Sequence, residues 1–265
     1  MAKQKTESKA LATWDQELAD EAKKAAGQEA GGGGGSFIGT RGGILTVDST
    51  PVPGNTLAAV ILDSVMLNTF YEGAYDPDNP QPPVCYAFGR KDDEMGPHDK
   101  CSSKQHEQCK GCPNNEFGSA IRFNGKGQQV EGKGKACKNT RRLAVIPAGT
   151  FGKDGSFEAY NKPSAFSEAE PLFLSVPPTS IKGYAGFVTR LAASANRPPW
   201  AVFTKIGIVA DPKSQFKLTF EPLAKAPDTV LPALREASKA AKALIEFPFP
   251  DVREEAPKPT GKKRF

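Results

Sequence analysis

Cys109-Lys110-Gly111-Cys112 puts two thiols on one tight turn, and a chain carrying such a turn has to bring further ligands to it. Two cysteines separated by two residues, one of them glycine, can aim at a single ion; the arrangement is the usual half of a zinc ribbon or knuckle. The chain has five cysteines, and its start, MAKQKTESKALATWDQELADEAKK, lacks the apolar stretch of an export signal. The expected compartment is therefore reducing, where cysteines bind metal more often than they pair as disulfides.

A tetrahedral site needs two more ligands, and Cys85, Cys101, Cys137, His98 and His106 are available. Cys85 and Cys137 each sit at the edge of an apolar, strand-like run, in Val84-Cys85-Tyr86 and in Cys137-Lys138-Asn139-Thr140-Arg141-Arg142-Leu143. Strand ends are fixed positions, so less entropy is lost when the ion binds. The expected set is Cys85, Cys109, Cys112 and Cys137 around one structural zinc. Cys101 is the alternative for one of them. A redox dithiol is the competing reading, but such pairs open a helix in a βαβ unit, and here Pro113-Asn114-Asn115 continues as loop. A catalytic zinc needs an open position and a base such as that of His-x-Glu; His106 and Glu107 are adjacent instead.

Around this insertion the chain reads as β-rich. Residues 44–50 and 57–72, Val84–Phe88, SAIRFN, RRLAVIPAG and Pro171–Val176 are strand-like, although 57–72 also permits a helix. Pro177-Pro178-Thr179-Ser180 opens a helix with Thr179 or Ser180 as cap, and Pro198-Pro199 ends it. AVFTKIGIVA and SQFKLTFEPL flank Asp211-Pro212-Lys213 as a hairpin. A last helix runs from about Asp228, its expected cap, to Ile245. The expected fold class is α+β: an OB-like antiparallel barrel with a zinc-loop insertion at about 85–142, one internal helix and a C-terminal helix. The expected organisation is an N-terminal helical arm and glycine linker (1–36), the β core (37–225), the C-terminal helix (226–246) and a disordered, Pro-rich tail (247–265). The arm either packs on nothing or docks on a second copy. No apolar run reaches transmembrane length.

Charge is concentrated beside the cysteines. Arg122, Lys126, Lys133, Lys135, Lys138, Arg141 and Arg142 face the single acid Glu131, a local excess larger than the whole chain's +5. Glycines 125, 127, 132 and 134 let backbone approach a polyanion. Tyr86, Phe88, Phe117 and Phe123 bracket the zinc loop and the basic segment; exposed rings beside cations stack bases. A single strand is the expected ligand, because no helix aligns basic residues for a major groove. The competing readings are a solvated hairpin tip for the lysines and a small core around the metal for the rings.

Pro83-Val84-Cys85-Tyr86, Cys109-Lys-Gly-Cys112-Pro-Asn-Asn-Glu-Phe-Gly118-Ser119 and Gly134-Lys-Ala-Cys137-Lys-Asn-Thr-Arg-Arg-Leu-Ala-Val resemble a widespread family of tailed-bacteriophage proteins. The overall plan is similar to the zinc-containing single-stranded DNA-binding proteins of phages, whose core is an OB-fold. The resemblance spans about residues 83–147. It carries zinc ligands onto Cys85, Cys109, Cys112 and Cys137. It implies a replication or recombination accessory protein that coats single strands in the host cytoplasm, with phage replication proteins as possible partners. The chain departs from that pattern at its end, Gly-Lys-Lys-Arg-Phe, which is basic where such proteins carry an acidic tail. The expected ligand set also contains no histidine, whereas a phage zinc protein of this kind uses one.

No phosphate loop, dinucleotide turn, H-E-x-x-H or G-x-S-x-G motif is present, so the chain is expected not to be an enzyme. The alternative function is a zinc-stabilised protein–protein adaptor that binds a polymerase or another replication or transcription protein.

Overall fold

The computed structural model describes residues 37–73, 81–123, 129–247 and 249. The chain divides into Met1–Gly34 and Gly35–Phe265. The first unit, with the expected helical arm, lies outside the described residues, as does the tail from 250 onward.

The protein is β-rich with a few helices, an α+β chain. Its strands are β1 (Phe37–Gly39), β2 (Thr46–Val47), β3 (Thr50–Pro51), β4 (Thr56–Phe70), β5 (Cys85–Gly89), β6 (Ile121–Phe123), β7 (Gln129–Glu131), β8 (Lys138–Pro147), β9 (Gly149–Phe151), β10 (Phe157–Ala159), β11 (Leu172–Val176), β12 (Val202–Asp211) and β13 (Gln215–Lys225). Nine of them form one curled, half-barrel sheet in the order β13-β12-β4-β8-β11-β1-β2-β3, with β5 also on β4. The pair β1–β11 is parallel. This is a wider arrangement than the five strands of the expected OB-like barrel, and no pairing joins β13 to β3 among the described residues.

β4 is the spine. Its run Ala58–Leu62 is buried throughout, as expected of a central strand covered on both faces. That continuous burial resolves the strand-or-helix ambiguity of this segment. Alternate side chains feed two cores. Ala59 and Ile61 of β4, with Leu143 and Val145 of β8, pack under Tyr184, Phe187 and Leu191. Val60 and Leu62, with Ala144 and Ile146, pack under Phe166, Leu234, Ala241 and Ile245. The sheet is thus sandwiched by α2 (Pro178–Arg190) on one face and by α1 (Ser164–Ser167) and α3 (Leu231–Leu244) on the other.

Local departures from expectation have simple causes. Ser180 does not cap α2; its hydroxyl is buried and accepts the Leu218 N–H at 2.9 Å, fastening the helix to β13. Asp228 does not cap α3, which starts after Val230; its carboxylate stands 3.7 Å from Arg197 instead. The strand expected over 44–50 is broken into β2 and β3, because Asp48 and Ser49 take positive φ values of 47° and 65° and turn the chain back.

β12 and β5 share one edge of β4. β12 pairs with Thr56–Val60, β5 with Met66–Phe70, and β8 runs along the other edge. Between them the edge of β4 forks open. Two side chains close its exposed carbonyls: the Ser238 hydroxyl of α3 donates to Leu62 O at 2.8 Å, and Arg90 donates to Ser64 O at 3.3 Å. Among the described residues, no helix is long and apolar enough to cross a membrane.

Candidate metal centre and its basic rim

The far end of β4 positions the cysteines. Cys85 opens β5 opposite Phe70, and Cys137 directly precedes β8, whose Lys138 lies opposite Thr69. The two strands that flank β4 therefore each deliver one cysteine to the same end. The Cys109–Cys112 turn comes over that end from the long loop. Cys112 N–H donates to Cys109 O at 3.4 Å, and Gly111 sits between them at φ 79°. Glycine at a positive φ in the third position is the signature of a type II turn, so this position needs Gly for conformational reasons.

Backbone hydrogen bonds pin the loop. Cys109 N–H donates to Met95 O at 2.9 Å, and Cys137 N–H donates to Asn114 O at 2.7 Å. Three asparagines brace the floor. The Asn139 amide donates to Asn68 Oδ1 at 2.6 Å and to Asn115 Oδ1 at 2.9 Å, while the Asn115 amide donates to Cys109 O at 2.9 Å. This network ties β4, β8 and the cysteine turn together, and none of the three asparagines was legible as functional from residue type alone.

Cys85, Cys109, Cys112 and Cys137 all line one cavity of about 20 Å³, with Asn68, Phe70 and Asn115 in its walls. That is room for a body about the size of one water. The five cysteines are free thiols, Cys112 buried and the rest half-buried. Burial pushes the Cys85 thiol up to about 11 and the Cys137 thiol up to about 12, and raises Cys109 as well; neighbouring cysteines add to each shift. Without a cation these sulfurs are neutral. Among the described residues, no three His, Cys, Asp or Glu side chains already stand in a closed ligating arrangement. The four cysteines line a common space. As a donor set, four thiols on strand ends and a turn fit a tetrahedral, thiolate-binding ion.

Cys101 is engaged differently. The Tyr86 N–H donates to its sulfur at 3.2 Å and its thiol donates to Tyr86 O at 3.2 Å. It does not line the cavity. His98 stacks on Tyr86 with ring centroids 5.0 Å apart.

The basic segment divides sharply. Arg142 is 4% exposed. Its guanidinium carbon lies 4.0 Å from the Phe247 centroid and 4.9 Å from that of Phe88, and its Nη1 donates to Ile245 O at 3.0 Å and Phe247 O at 3.2 Å. Burial lowers its pKa to about 10, so it is charged at neutral pH. Arg142 is a core cation and does not face a polyanion. Tyr86, 2% exposed, is likewise packed away, its ring 5.0 Å from Phe249 and 5.8 Å from the half-buried Phe88. These three leave the expected nucleic-acid surface, because alternation along β5 and β8 turns them inward. Phe247 and Phe249, expected to begin a disordered tail, are the rings that cover them.

The outer lysines stay outside. Lys133 and Lys138 are exposed. Lys135 lies 5.1 Å from the centroid of Phe117, a ring 81% exposed, and Lys138 lies 5.3 Å from that of Tyr71, 39% exposed. Arg122 and Phe123 belong to β6, and Lys126 lies outside the described residues. Arg141 turns to the opposite face from Arg142, 5.8 Å from the Tyr184 ring. Phe117, one of the rings expected beside the basic segment, and Tyr71, which residue order alone did not single out, are exposed rings standing beside lysines; the sign that finds Tyr71 is an aromatic side chain left in solvent beside a lysine.

The chain matches no protein-family model, no curated protein and no solved structure.

Proposed function

We propose that this protein is a non-catalytic, sequence-tolerant single-stranded DNA-binding protein, stabilised by one structural zinc on Cys85, Cys109, Cys112 and Cys137. The observation that carries the reading is Phe117: a phenyl ring 81% exposed, with Lys135 over its face, on the loop that the cysteine turn holds. Rings left in water beside cations are what base stacking with phosphate neutralisation requires. Tyr71 with Lys138, and Lys133, extend the same chemistry.

The zinc serves folding. It clamps a loop that runs from β5 to β8 with little apolar core of its own, and a bound ion at its base holds the lysine-bearing rim in one geometry. The OB-like character of the curled sheet belongs to this proposal, supported by its curvature and by the long insertion. So does a role in phage replication or recombination in the host cytoplasm, supported by the sequence motifs of residues 83–147.

The test is a titration of a labelled oligonucleotide at two salt concentrations, with zinc measured on the same sample. Tight binding at low salt that weakens steeply with salt, at one zinc per chain, supports the reading. A zinc-loaded, folded protein with no affinity for any single strand removes it and leaves the adaptor reading, in which the exposed Phe117 contacts a protein.

A further inference from the structure

The fork in β4 opens into a second cavity, away from the cysteines. It has a volume of about 440 Å³ and is walled by Ile61, Asp63, Arg141, Tyr184, Trp200 and Lys242 among others. None of its lining residues lines the cysteine cavity. The volume lies in the range of small-molecule sites.

We infer that this cleft binds a nucleoside monophosphate, either free or at the phosphorylated end of a strand. Arg141 supplies the first reason. Its Nη1 donates to Ser64 Oγ at 3.3 Å, but its Nε is buried without a hydrogen-bond partner among the described residues. A buried guanidinium N–H is costly to leave unpaired, and an anionic oxygen is its natural acceptor.

Charge is the second reason. The lining cations are Arg141 and Lys242, and the lining acid Asp63 is already neutralised by a two-pronged pair with Arg90, at 2.9 and 2.7 Å. The cleft is therefore net positive. Shape is the third. Half-buried Trp200 and Pro199 line the cleft, and Ala185 and Val188 of α2 add apolar surface to it. A phosphate against Arg141 with a planar base against Trp200 satisfies all three features at once.

Trp200 reports on the site. The chain has two tryptophans, so a Trp14→Phe background leaves Trp200 as the sole emitter. Titration with dTMP is expected to change its emission saturably. Thymidine and inorganic phosphate are each expected to bind at least ~10-fold more weakly, since each offers one half of the ligand. Lys242→Glu, on an exposed helix position, is expected to weaken dTMP, and Arg141→Met to weaken it ~10-fold or more. An oligonucleotide with a 5′-phosphate that displaces dTMP, beside a 5′-hydroxyl control that does not, identifies the strand end as the source. Displacement by neither identifies the free nucleotide.

No saturable response to millimolar dTMP overturns the inference. So does thymidine binding as tightly as dTMP, or a Lys242→Glu protein that binds unchanged. The site is independent of the lysine rim: Phe117→Ala is expected to leave the dTMP response intact, and a lost response in that variant counts against a separate cleft.

Discussion

The Arg142 guanidinium is stacked 4.0 Å from the centroid of Phe247, so a buried cation of the central sheet is covered by the chain's own C-terminal stretch. The ring also packs on Phe173, with centroids 4.9 Å apart. Removing it takes away apolar burial and a desolvated cation–π contact together. Phe247→Ala is expected to cost about 3 kcal/mol or more in chemical denaturation. A change below ~0.5 kcal/mol would show that the contact is not formed in solution.

The cysteine cavity predicts a graded response to substitution. Cys85→Ser, Cys109→Ser, Cys112→Ser and Cys137→Ser are each expected to lower bound zinc below one per chain and to lower the melting temperature. Cys101→Ser, whose sulfur is held by the Tyr86 backbone outside the cavity, is expected to keep full zinc. Metal analysis of the five purified variants decides it, and equal loss in Cys101→Ser would redraw the ligand set.

Gly111 has no heavy atom within 4 Å of where a Cβ would sit, yet its φ is 79°. A substitution there meets backbone strain and no clash. Gly111→Ala is expected to cost roughly 1 kcal/mol and to weaken zinc retention against a chelator. Unchanged stability and unchanged zinc retention in that variant would show that the turn is remade.

The lysine rim is expected to behave as an electrostatic and stacking surface. Phe117→Ala should weaken single-strand binding by about 1–3 kcal/mol at any salt. Lys135→Gln and Lys138→Gln should each reduce the salt slope by roughly 0.7, the value for one released counterion on a single strand. Unaltered isotherms in all three would clear this surface of any role.

Ser238 closes the fork. Its hydroxyl, buried with the residue at 4% exposure, donates to Leu62 O. Ser238→Ala leaves that carbonyl unpaired where no strand can reach it, at a cost of about 1–3 kcal/mol. Hydrogen exchange should rise at β4 residues 61–65 before it rises in β8.

Much was legible without coordinates, because it is local. The period of apolar residues marks β8, β11, the β12–β13 hairpin and the last helix, and the turn chemistry of Cys109-Lys-Gly-Cys112 needs only four consecutive residues. Strand-end placement also pointed to Cys85 and Cys137 over Cys101 as zinc ligands, and those two share one cavity with Cys109 and Cys112. What residue order could not supply was which side of the sheet each charge takes. Arg141 and Arg142 are chemically alike and adjacent, yet one lines an open cleft and the other sits under Phe247. That choice belongs to the alternation of β8 inside a sheet covered on both faces, and to a C-terminal segment about a hundred residues away in sequence. A side chain's type determines what it can bind; only the packing of distant elements decides whether it meets solvent, a ring or an ion.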